Sequence, residues 1–280
     1  MERYRYLKEL GGGGGGRTFL VWDNHIGCKR VLKRIAAYRM EEGQSLAACR
    51  ELAALRQIRQ EGVPMLTDAW QEADTLCLVM EYIEGVTLEE RVLKEGVLTE
   101  QEALLCVLQI ASLLRILHEL PGTLIHGDVK PQNLICRRKG IALLDFGGAA
   151  WFHSAERFLA HYTRGYGAPE LKAGLPLSEQ SDVYALGAVL FFMVMGEHPD
   201  DMRGIYPVRE QNPFLSRELE EMILWCTHPQ QEYRCRSMRS VQEKILLLQK
   251  GAGRRSTRKR GETFRCVKNI LLMERLEGES

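Results

Sequence analysis

Three polar side chains stand close together in one stretch of the sequence, and a fourth follows soon after it. Asp128, Lys130 and Asn133 share the first stretch, and Asp145 comes directly after residues 141–144, whose apolar character predicts a short strand. Transfer of a phosphoryl group needs a base or positioning group for the attacking hydroxyl, a cation on the phosphate that moves, and oxygen ligands for magnesium. These side chains supply all of those types within one loop–strand–loop unit, so they predict phosphoryl transfer.

A run of six glycines at residues 11–16 lies between two strand-like segments. Gly11, Gly13 and Gly16 fit the pattern G-x-G-x-x-G, in which the bare backbone can approach phosphates and offer them its N–H groups. A tract of six glycines meets that pattern trivially, so a flexible linker is the alternative interpretation.

A lysine and a glutamate further along predict a charged pair. Lys33 lies in a strand-like segment, and Glu51 lies on a predicted helix. Paired across a cleft, the two would hold an ammonium group where it can neutralise nucleotide phosphates. The alternatives are a solvated lysine at a sheet edge and a carboxylate on a helix surface.

The elements that must position these residues divide the chain in two. The first third predicts strands at residues 4–10, 17–23, 30–35 and 76–82 and a helix at residues 46–58. Thr99 and Glu102 then form a capping box for a helix over residues 103–117. Further apolar helices are predicted at residues 181–196, 217–227 and 238–249. This change in character predicts an α+β fold with two lobes and a hinge near residues 81–85.

The predicted boundaries follow from these patterns. Residues 1–83 form the small strand-rich lobe, residues 84–250 the larger helical lobe, and residues 251–280 a linker and tail. Residues 250–262 are basic and rich in glycine, which is typical of a linker. Residues 254–260 are either a solvated part of that linker or a contact for acidic lipid or nucleic acid, and the tail could form a short amphipathic helix.

Composition narrows the class of protein. Hydrophobic residues make up 45% and charged residues 27% of the 280 residues, and the net charge of +1 gives no general attraction to nucleic acid or membrane. The eight cysteines form no C-x-x-C pair, which favours reduced thiols. The longest apolar stretch, residues 183–195, is shorter than the ~20 residues that span a bilayer. We expect no signal peptide, no transmembrane segment, no nucleic-acid partner and a cytoplasmic location.

The order of several motifs carries a resemblance to a known family. These motifs are HGDVKPQN at residues 126–133, DFG at 145–147, GAPE at 167–170, SDVYALG at 181–187, and Arg234. Over about residues 1–250 the chain resembles a eukaryotic-type (Hanks-type) Ser/Thr protein kinase catalytic domain of the compact bacterial sort. The resemblance implies a bilobal α+β fold with a small antiparallel sheet, ATP and Mg²⁺ as cofactors with Mn²⁺ as a possible substitute, and protein substrates.

The resemblance assigns catalytic roles to five side chains. Asp128 would accept or orient the substrate hydroxyl's proton, and Lys130 would contact the γ-phosphate. Lys33 would contact the α- and β-phosphates while paired with Glu51, and Thr163 would brace Asp128 and Lys130. The implied magnesium ligands are Asn133 and Asp145.

The implied nucleotide site surrounds the predicted hinge. Its residues are Leu10, Gly11, Gly13, Gly16, Thr18, Val31, Lys33, Met80, Glu81, Ile83 and Ile135. Among them, Glu81 and Ile83 would present backbone groups to adenine beside the gatekeeper Met80, and Val31 and Ile135 would sandwich the ring.

The resemblance also implies structural contacts. The apolar spine that couples the lobes would contain Leu55, Leu66, His126 and Phe146, with Asp182 anchoring its base. Glu170 and Arg234 would form an ion pair in the larger lobe.

One motif departs from the family pattern, because Gly127 stands where an arginine normally pairs with a phosphorylated loop. We therefore predict that phosphorylation of the loop between residues 145 and 170 is not needed for activity. Packing of Trp151, Phe152 and Phe158 would order that loop instead.

Two other functions are open. The triplet HGD also resembles small-molecule kinases such as aminoglycoside and choline phosphotransferases, although residues 167–170, 181–187 and Arg234 favour a protein kinase. The second alternative is a pseudokinase scaffold that binds without transferring phosphate.

Overall fold

The computed structural model describes residues 3–13, 16–36, 43–152, 162–200 and 204–255. The described residues up to Gln242 form one compact unit, and those from Glu243 onward belong to a second, smaller one. The strands are β1 (Tyr4–Gly13), β2 (Gly16–Asp23), β3 (Cys28–Ala36), β4 (Leu66–Glu72), β5 (Thr75–Glu81), β6 (Val86–Thr87), β7 (Leu124–Ile125), β8 (Leu134–Arg137), β9 (Gly140–Leu143) and β10 (Ala150–Trp151). The α-helices are α1 (Gly43–Gln57), α2 (Leu88–Glu95), α3 (Glu100–His118), α4 (Pro169–Lys172), α5 (Glu179–Met195), α6 (Arg217–Cys226) and α7 (Met238–Arg255).

The first part of the chain forms a five-stranded antiparallel sheet with the order β1-β2-β3-β5-β4. Side chains join its two edge strands. The hydroxyl of Tyr4 donates to Asp68 at 2.8 Å, and Arg3 donates to the same carboxylate at 2.8 Å. The ring of Tyr4 also stacks on Trp70, with 5.6 Å between the centroids. The sheet is therefore curled until its edges meet at this end, and we call these four residues the edge seam.

The strand register fixes which residues face the cleft. Lys33 lies opposite Thr18 on β2 and opposite Leu78 on β5, and Val31 lies opposite Met80. Because side chains alternate between the two faces of a strand, Val31 and Lys33 share one face of β3. Lys33 is buried with 6% of its surface exposed, so it is not the solvated edge lysine of the alternative interpretation.

The second part of the chain is mostly helical and centres on two apolar helices. The predicted capping box at Thr99 is present, since its side chain accepts from the Glu102 N–H while the Glu102 carboxylate accepts from the Thr99 N–H. Helix α5 is buried along most of its length, from Ser181 to Val194. Two small sheets, β6-β8-β9 and β7-β10, hold the loops between the helices. The predicted α+β fold is confirmed.

Helix α3 is, within the described ranges, the one helix long and apolar enough to cross a membrane. Of the window that meets this test, 61% is buried inside the fold. Its apolar surface is thus used by the packed core, and we regard α3 as a core helix.

One element was missed by the sequence analysis, and one expectation was wrong. Strand β4 was not predicted, and it is irregular, with a register shift between Leu66 and Asp68. Helix α7 continues to Arg255, so residues 250–255 are helical and not part of a linker. The rest of the predicted linker, most of the basic stretch and the tail helix lie outside the described residues.

Candidate active site

Asp128 lies in the loop between β7 and β8, and three side chains hold its carboxylate. Thr163 donates its hydroxyl to Oδ1 at 2.6 Å, and the Lys130 ammonium lies 2.7 Å from Oδ2. The Asn133 amide donates to the Asp128 backbone carbonyl at 2.8 Å and to Oδ2 at 3.0 Å. The predicted residues are therefore brought together, including Thr163, which reaches Asp128 from a distant part of the chain. The oriented carboxylate suits a group that receives or directs a proton.

A buried aspartate at the start of α5 holds the backbone of this loop. Asp182 accepts the N–H groups of His126 and Gly127, both at 2.9 Å, and lies 2.8 Å from His118 Nε2. Burial raises the pKa of Asp182, but the hydrogen bonds from His118 and Gly127 outweigh it and hold that pKa below its usual range. The sequence analysis named Asp182 but missed His118. The available indication was that His118 is a polar residue at the end of an apolar helix.

Lys33 lies between two carboxylates, one on α1 and the other just after β9. Its ammonium is 2.7 and 2.8 Å from the two oxygens of Glu51 and 2.6 Å from Asp145 Oδ1. Burial lowers the pKa of Lys33, but the charges of Glu51 and Asp145 outweigh burial, so the pKa is raised and the group stays cationic. Glu51 is itself buried, which excludes the surface carboxylate of the alternative interpretation.

Asp145 turns the chain so that its neighbours pack and its carboxylate faces Lys33. Its backbone lies in the left-handed region, with φ of 61°, and its Oδ1 accepts the Gly147 N–H at 3.2 Å. Phe146 is buried, and its ring meets the edge of the His126 ring at a centroid distance of 5.0 Å. Of the other predicted spine residues, Leu55 is buried and Leu66 is half-buried.

The residues assigned to the adenine ring lie at the junction of the two lobes. Met80 and Ile135 are buried, and Val31 and Ile83 are half-buried. The Glu81 N–H donates to the Met65 carbonyl at 2.9 Å, so this N–H is engaged within the fold.

The described glycines of the run belong to a hairpin and not to a flexible linker. Gly11 and Gly13 lie in β1, and Gly16 lies in β2 opposite Gly13. A Cβ at Gly16, where φ is +110°, would lie 2.5 Å from the Arg34 carbonyl oxygen, so this position requires glycine. No atom of the described residues lies within 4 Å of a Cβ built at Gly11, so this position is open. Leu10, which leads into the run, is partly exposed, and Thr18 follows the turn on β2.

An ion pair that sequence reasoning missed spans this hairpin. Arg17 donates to the two carboxylate oxygens of Glu9 at 3.1 and 2.7 Å. Opposite charges on the two sides of the glycine run were the sequence feature that could have indicated this pair.

The loop that follows Asp145 is anchored at both ends. At its start, Trp151 is half-buried in β10, which pairs with β7. Phe152 is 50% exposed, so half of its surface is covered, and its part in ordering the loop stays a prediction. Phe158, the third predicted packing residue, lies outside the described residues. At the other end, Tyr162 packs against a buried cluster formed by Ile125, Ala150, Ala168, Leu171 and Leu177.

The donor set at the cleft fits a hard divalent cation that is shared with phosphates. Asn133 uses its amide nitrogen on Asp128, so its carbonyl oxygen is the atom left for a cation. The described bonds of Asp145 fall on Oδ1, which leaves Oδ2. Asn133 and Asp145 thus offer one amide oxygen and one carboxylate oxygen. Such a set suits Mg²⁺, which keeps waters and uses one or two carboxylates with substrate phosphates.

Comparison with known proteins agrees with this geometry. The family model described as "Protein kinase domain" matches residues 4–247. The serine/threonine-protein kinase PrkC of Bacillus subtilis (strain 168) is 28% identical over 242 residues, which cover 80% of this chain and 37% of that protein. The probable serine/threonine-protein kinase PknB of Lactococcus lactis subsp. lactis (strain IL1403) is 26% identical, over 81% of this chain and 39% of that protein.

A mammalian relative is also a serine/threonine-protein kinase by name. The serine/threonine-protein kinase Nek1 of Mus musculus is 30% identical over 71% of this chain and 17% of that protein. The chain thus spans less than two fifths of the length of these three relatives.

Proposed function

Because the chain belongs to the protein kinase family, we propose that it transfers the γ-phosphoryl group of ATP to serine or threonine hydroxyls of proteins. The observation that carries this proposal is the Asp128 carboxylate, fixed by Thr163, Lys130 and Asn133, together with the contact between Lys33 and Asp145. The family implies ATP and a divalent metal. We propose Mg²⁺ as that metal, with Mn²⁺ as a possible substitute.

We assign the chemical work to residues whose contacts are described above. Asp128 orients the substrate hydroxyl and receives its proton, and Thr163 keeps the carboxylate at the required angle. The Lys130 ammonium stabilises charge on the phosphoryl group that moves. Lys33, held by Glu51, positions the α- and β-phosphates.

The metal would be held by Asn133 and Asp145, and when bound it neutralises charge on the phosphate oxygens. We place nucleotide binding at the glycine hairpin and at the junction near Met80, Glu81 and Ile135. These assignments, and lobe boundaries at residues 1–83 and 84–250, are our proposals. The described cysteines are unpaired, which supports a reducing, cytoplasmic location.

The small-molecule phosphotransferase is the weaker alternative. Tyr162 and Ala168 of the segment that leads to Glu170 pack on the same apolar cluster, and Glu170 forms a buried pair with Arg234. These features build a fixed surface beside Asp128 on which a protein segment can lie. A pseudokinase is also less well supported, because Asp128, Lys33 and Asp145 are all present and in contact with their expected partners.

Radiolabelled ATP with Mg²⁺ tests the proposal directly. Purified protein is incubated with casein, with myelin basic protein and with a panel of amino-alcohols, including aminoglycosides and choline. We expect label on serine or threonine of a protein and none on the small molecules. Label on an amino-alcohol alone would indicate the phosphotransferase, and nucleotide binding without transfer to anything would indicate a pseudokinase.

A further inference from the structure

A chain of polar contacts runs beside Asp128 and has no place in the chemistry described so far. His198, in the turn after α5, lies with its Nδ1 2.8 Å from the Tyr166 hydroxyl. Its Nε2 lies 3.1 Å from the Glu89 carboxylate in the first turn of α2. The Gln132 amide donates to the same carboxylate oxygen. The His198 ring stacks on Phe192 at a centroid distance of 4.6 Å, which fixes its plane.

Tyr166 and Glu89, the two groups that flank His198, guide the assignment of the donor in each hydrogen bond. Tyr166 is only 4% exposed. Burial, together with the nearby Glu89 charge, raises the pKa of Tyr166 above its usual range. We assign the Tyr166 hydroxyl as the donor to His198 Nδ1, so that the imidazole carries its proton on Nε2. That proton is donated to Glu89. The series of contacts therefore ends at the Glu89 carboxylate, which also accepts a hydrogen bond from Gln132.

These contacts join three segments that border the reacting groups. The Tyr166 N–H and the Gly167 N–H both donate to the carbonyl of Thr163, whose hydroxyl holds Asp128. Gln132 lies in the same loop as Lys130. His198 therefore connects the segment that carries Thr163 with the catalytic loop and with α2.

The turn that carries His198 also touches the backbone of this segment. A Cβ at Gly165, where φ is +79°, would lie 2.1 Å from the Pro199 carbonyl oxygen. The two backbones thus pack without a side chain between them. The outer side of the contact is open, since the His198 side chain is 42% exposed and that of Glu89 is 25% exposed. A protein that brings a hydroxyl to Asp128 must pass over this surface.

We propose that His198 is a positioning residue for the protein substrate, acting through Tyr166 on one side and through Glu89 on the other. It holds the segment from Tyr162 to Ala168 against α2 and the catalytic loop. A protein substrate can then bind to a surface that is already ordered. The proposal rests on the proposed protein kinase function. It does not involve the nucleotide, which we place at the glycine hairpin and near Met80, Glu81 and Ile135.

The test uses His198→Phe, which keeps a ring to stack on Phe192 and removes both hydrogen bonds. The matched control is His228→Phe, because His228 also lies in a turn after a helix and meets an aromatic ring, that of Tyr233 at 5.3 Å. We expect the KM for a protein substrate to rise about tenfold in His198→Phe, as for loss of a charge-assisted hydrogen bond. The KM for ATP should stay within about twofold of wild type, as should both constants in the control.

Two further variants separate positioning from a general loss of structure. Tyr166→Phe and Glu89→Gln should each raise the KM for the protein substrate, and Tyr166→Phe combined with His198→Phe should be little worse than His198→Phe alone. An increase in the KM for ATP equal to that for the protein substrate would overturn the proposal. So would a His198→Phe variant that behaves like His228→Phe.

Hydrogen exchange keeps the proposal testable even if the proposed function fails. If the wild-type protein transfers label to no protein at all, the kinase function is refuted. The relay of hydrogen bonds from Tyr166 through His198 to Glu89 still predicts an effect on amide exchange. Backbone amides of residues 162–168 should exchange faster in His198→Phe than in His228→Phe, and those of the glycine hairpin should not change. Equal exchange of residues 162–168 in the two variants would refute the relay.

Discussion

Replacing Arg234 by methionine should destabilise the fold strongly. The Arg234 side chain is fully buried, and it donates to both oxygens of Glu170 at 2.7 and 2.9 Å. It also donates to the carbonyls of His228, Gln180 and Pro229 at 3.0, 2.9 and 3.4 Å. Methionine would leave the Glu170 carboxylate, whose side chain is 6% exposed, without its cation. Loss of one partner of a buried pair costs about 3–5 kcal/mol, a large part of the roughly 5–15 kcal/mol that stabilises a domain.

Thermal unfolding followed by circular dichroism measures this loss. For a domain of this size 1 kcal/mol corresponds to about 2–4 °C, so the Tm should fall by about 6–20 °C. The matched control is Arg217→Met on α6, because Arg217 pairs with Glu221 at 3.0 Å but is 77% exposed. Exposed pairs contribute little, so the control should shift the Tm by no more than about 4 °C.

The double variant Arg234→Met with Glu170→Met distinguishes an unpaired charge from lost packing. Removing both charges takes away the stranded carboxylate, so the double variant should be more stable than Arg234→Met alone. A double variant that is less stable than the single one would refute this reasoning. So would a single variant that unfolds at the same temperature as the Arg217→Met control.

Acid should weaken the same pair. Burial raises the pKa of Glu170, but the hydrogen bond and charge of Arg234 outweigh burial and hold the pKa below its usual range. A carboxylate with a lowered pKa contributes stability above its unfolded pKa, and that stability is lost as the pH falls through the folded pKa. The difference in unfolding free energy between wild type and Glu170→Gln should therefore be full at pH 7 and shrink below about pH 4.5.

Three predictions concern catalysis. Asp128→Asn should keep nucleotide affinity and lose about 10²–10⁴-fold in turnover; a variant with more than a tenth of wild-type turnover would contradict the assigned role. Lys33→Ala and Glu51→Ala should each lose activity, and the double variant should be scarcely worse than either, whereas multiplying losses would show independent roles. Because Gly127 offers no cation for a phosphate, phosphatase treatment should leave activity unchanged, and Thr163→Ala should be impaired without any phosphate there. A large loss on dephosphorylation would refute this last expectation.

The catalytic groups could be predicted because they sit in short loops with fixed spacing. Asp128, Lys130 and Asn133 are neighbours in sequence, so their types alone indicate what they do together. The pairing of Lys33 with Glu51 needed the resemblance, since a strand lysine and a helix glutamate are common and do not by themselves specify a contact.

Other features depend on tertiary contacts that leave no local pattern. Strand β4 has a register shift and no clean alternation of apolar residues, so only its pairing with β5 makes it a strand. His198 follows an apolar helix in an exposed turn, and nothing nearby in the sequence indicates Tyr166 or Glu89 as its partners. The Phe152 N–H donates to the Thr123 carbonyl at 2.9 Å, and no nearby sequence pattern indicates that contact.

The edge seam has a consequence for how the protein behaves in crowded solution. Unpaired strands at a sheet margin are templates on which another molecule can add a strand and begin to aggregate. Here Arg3 and Tyr4 tie one margin to Asp68 on the other, and β1 carries two register shifts along its length, which disrupt a regular template. Loss of the Asp68 carboxylate would expose both margins to neighbouring molecules, so its first symptom should be turbidity during refolding at high protein concentration.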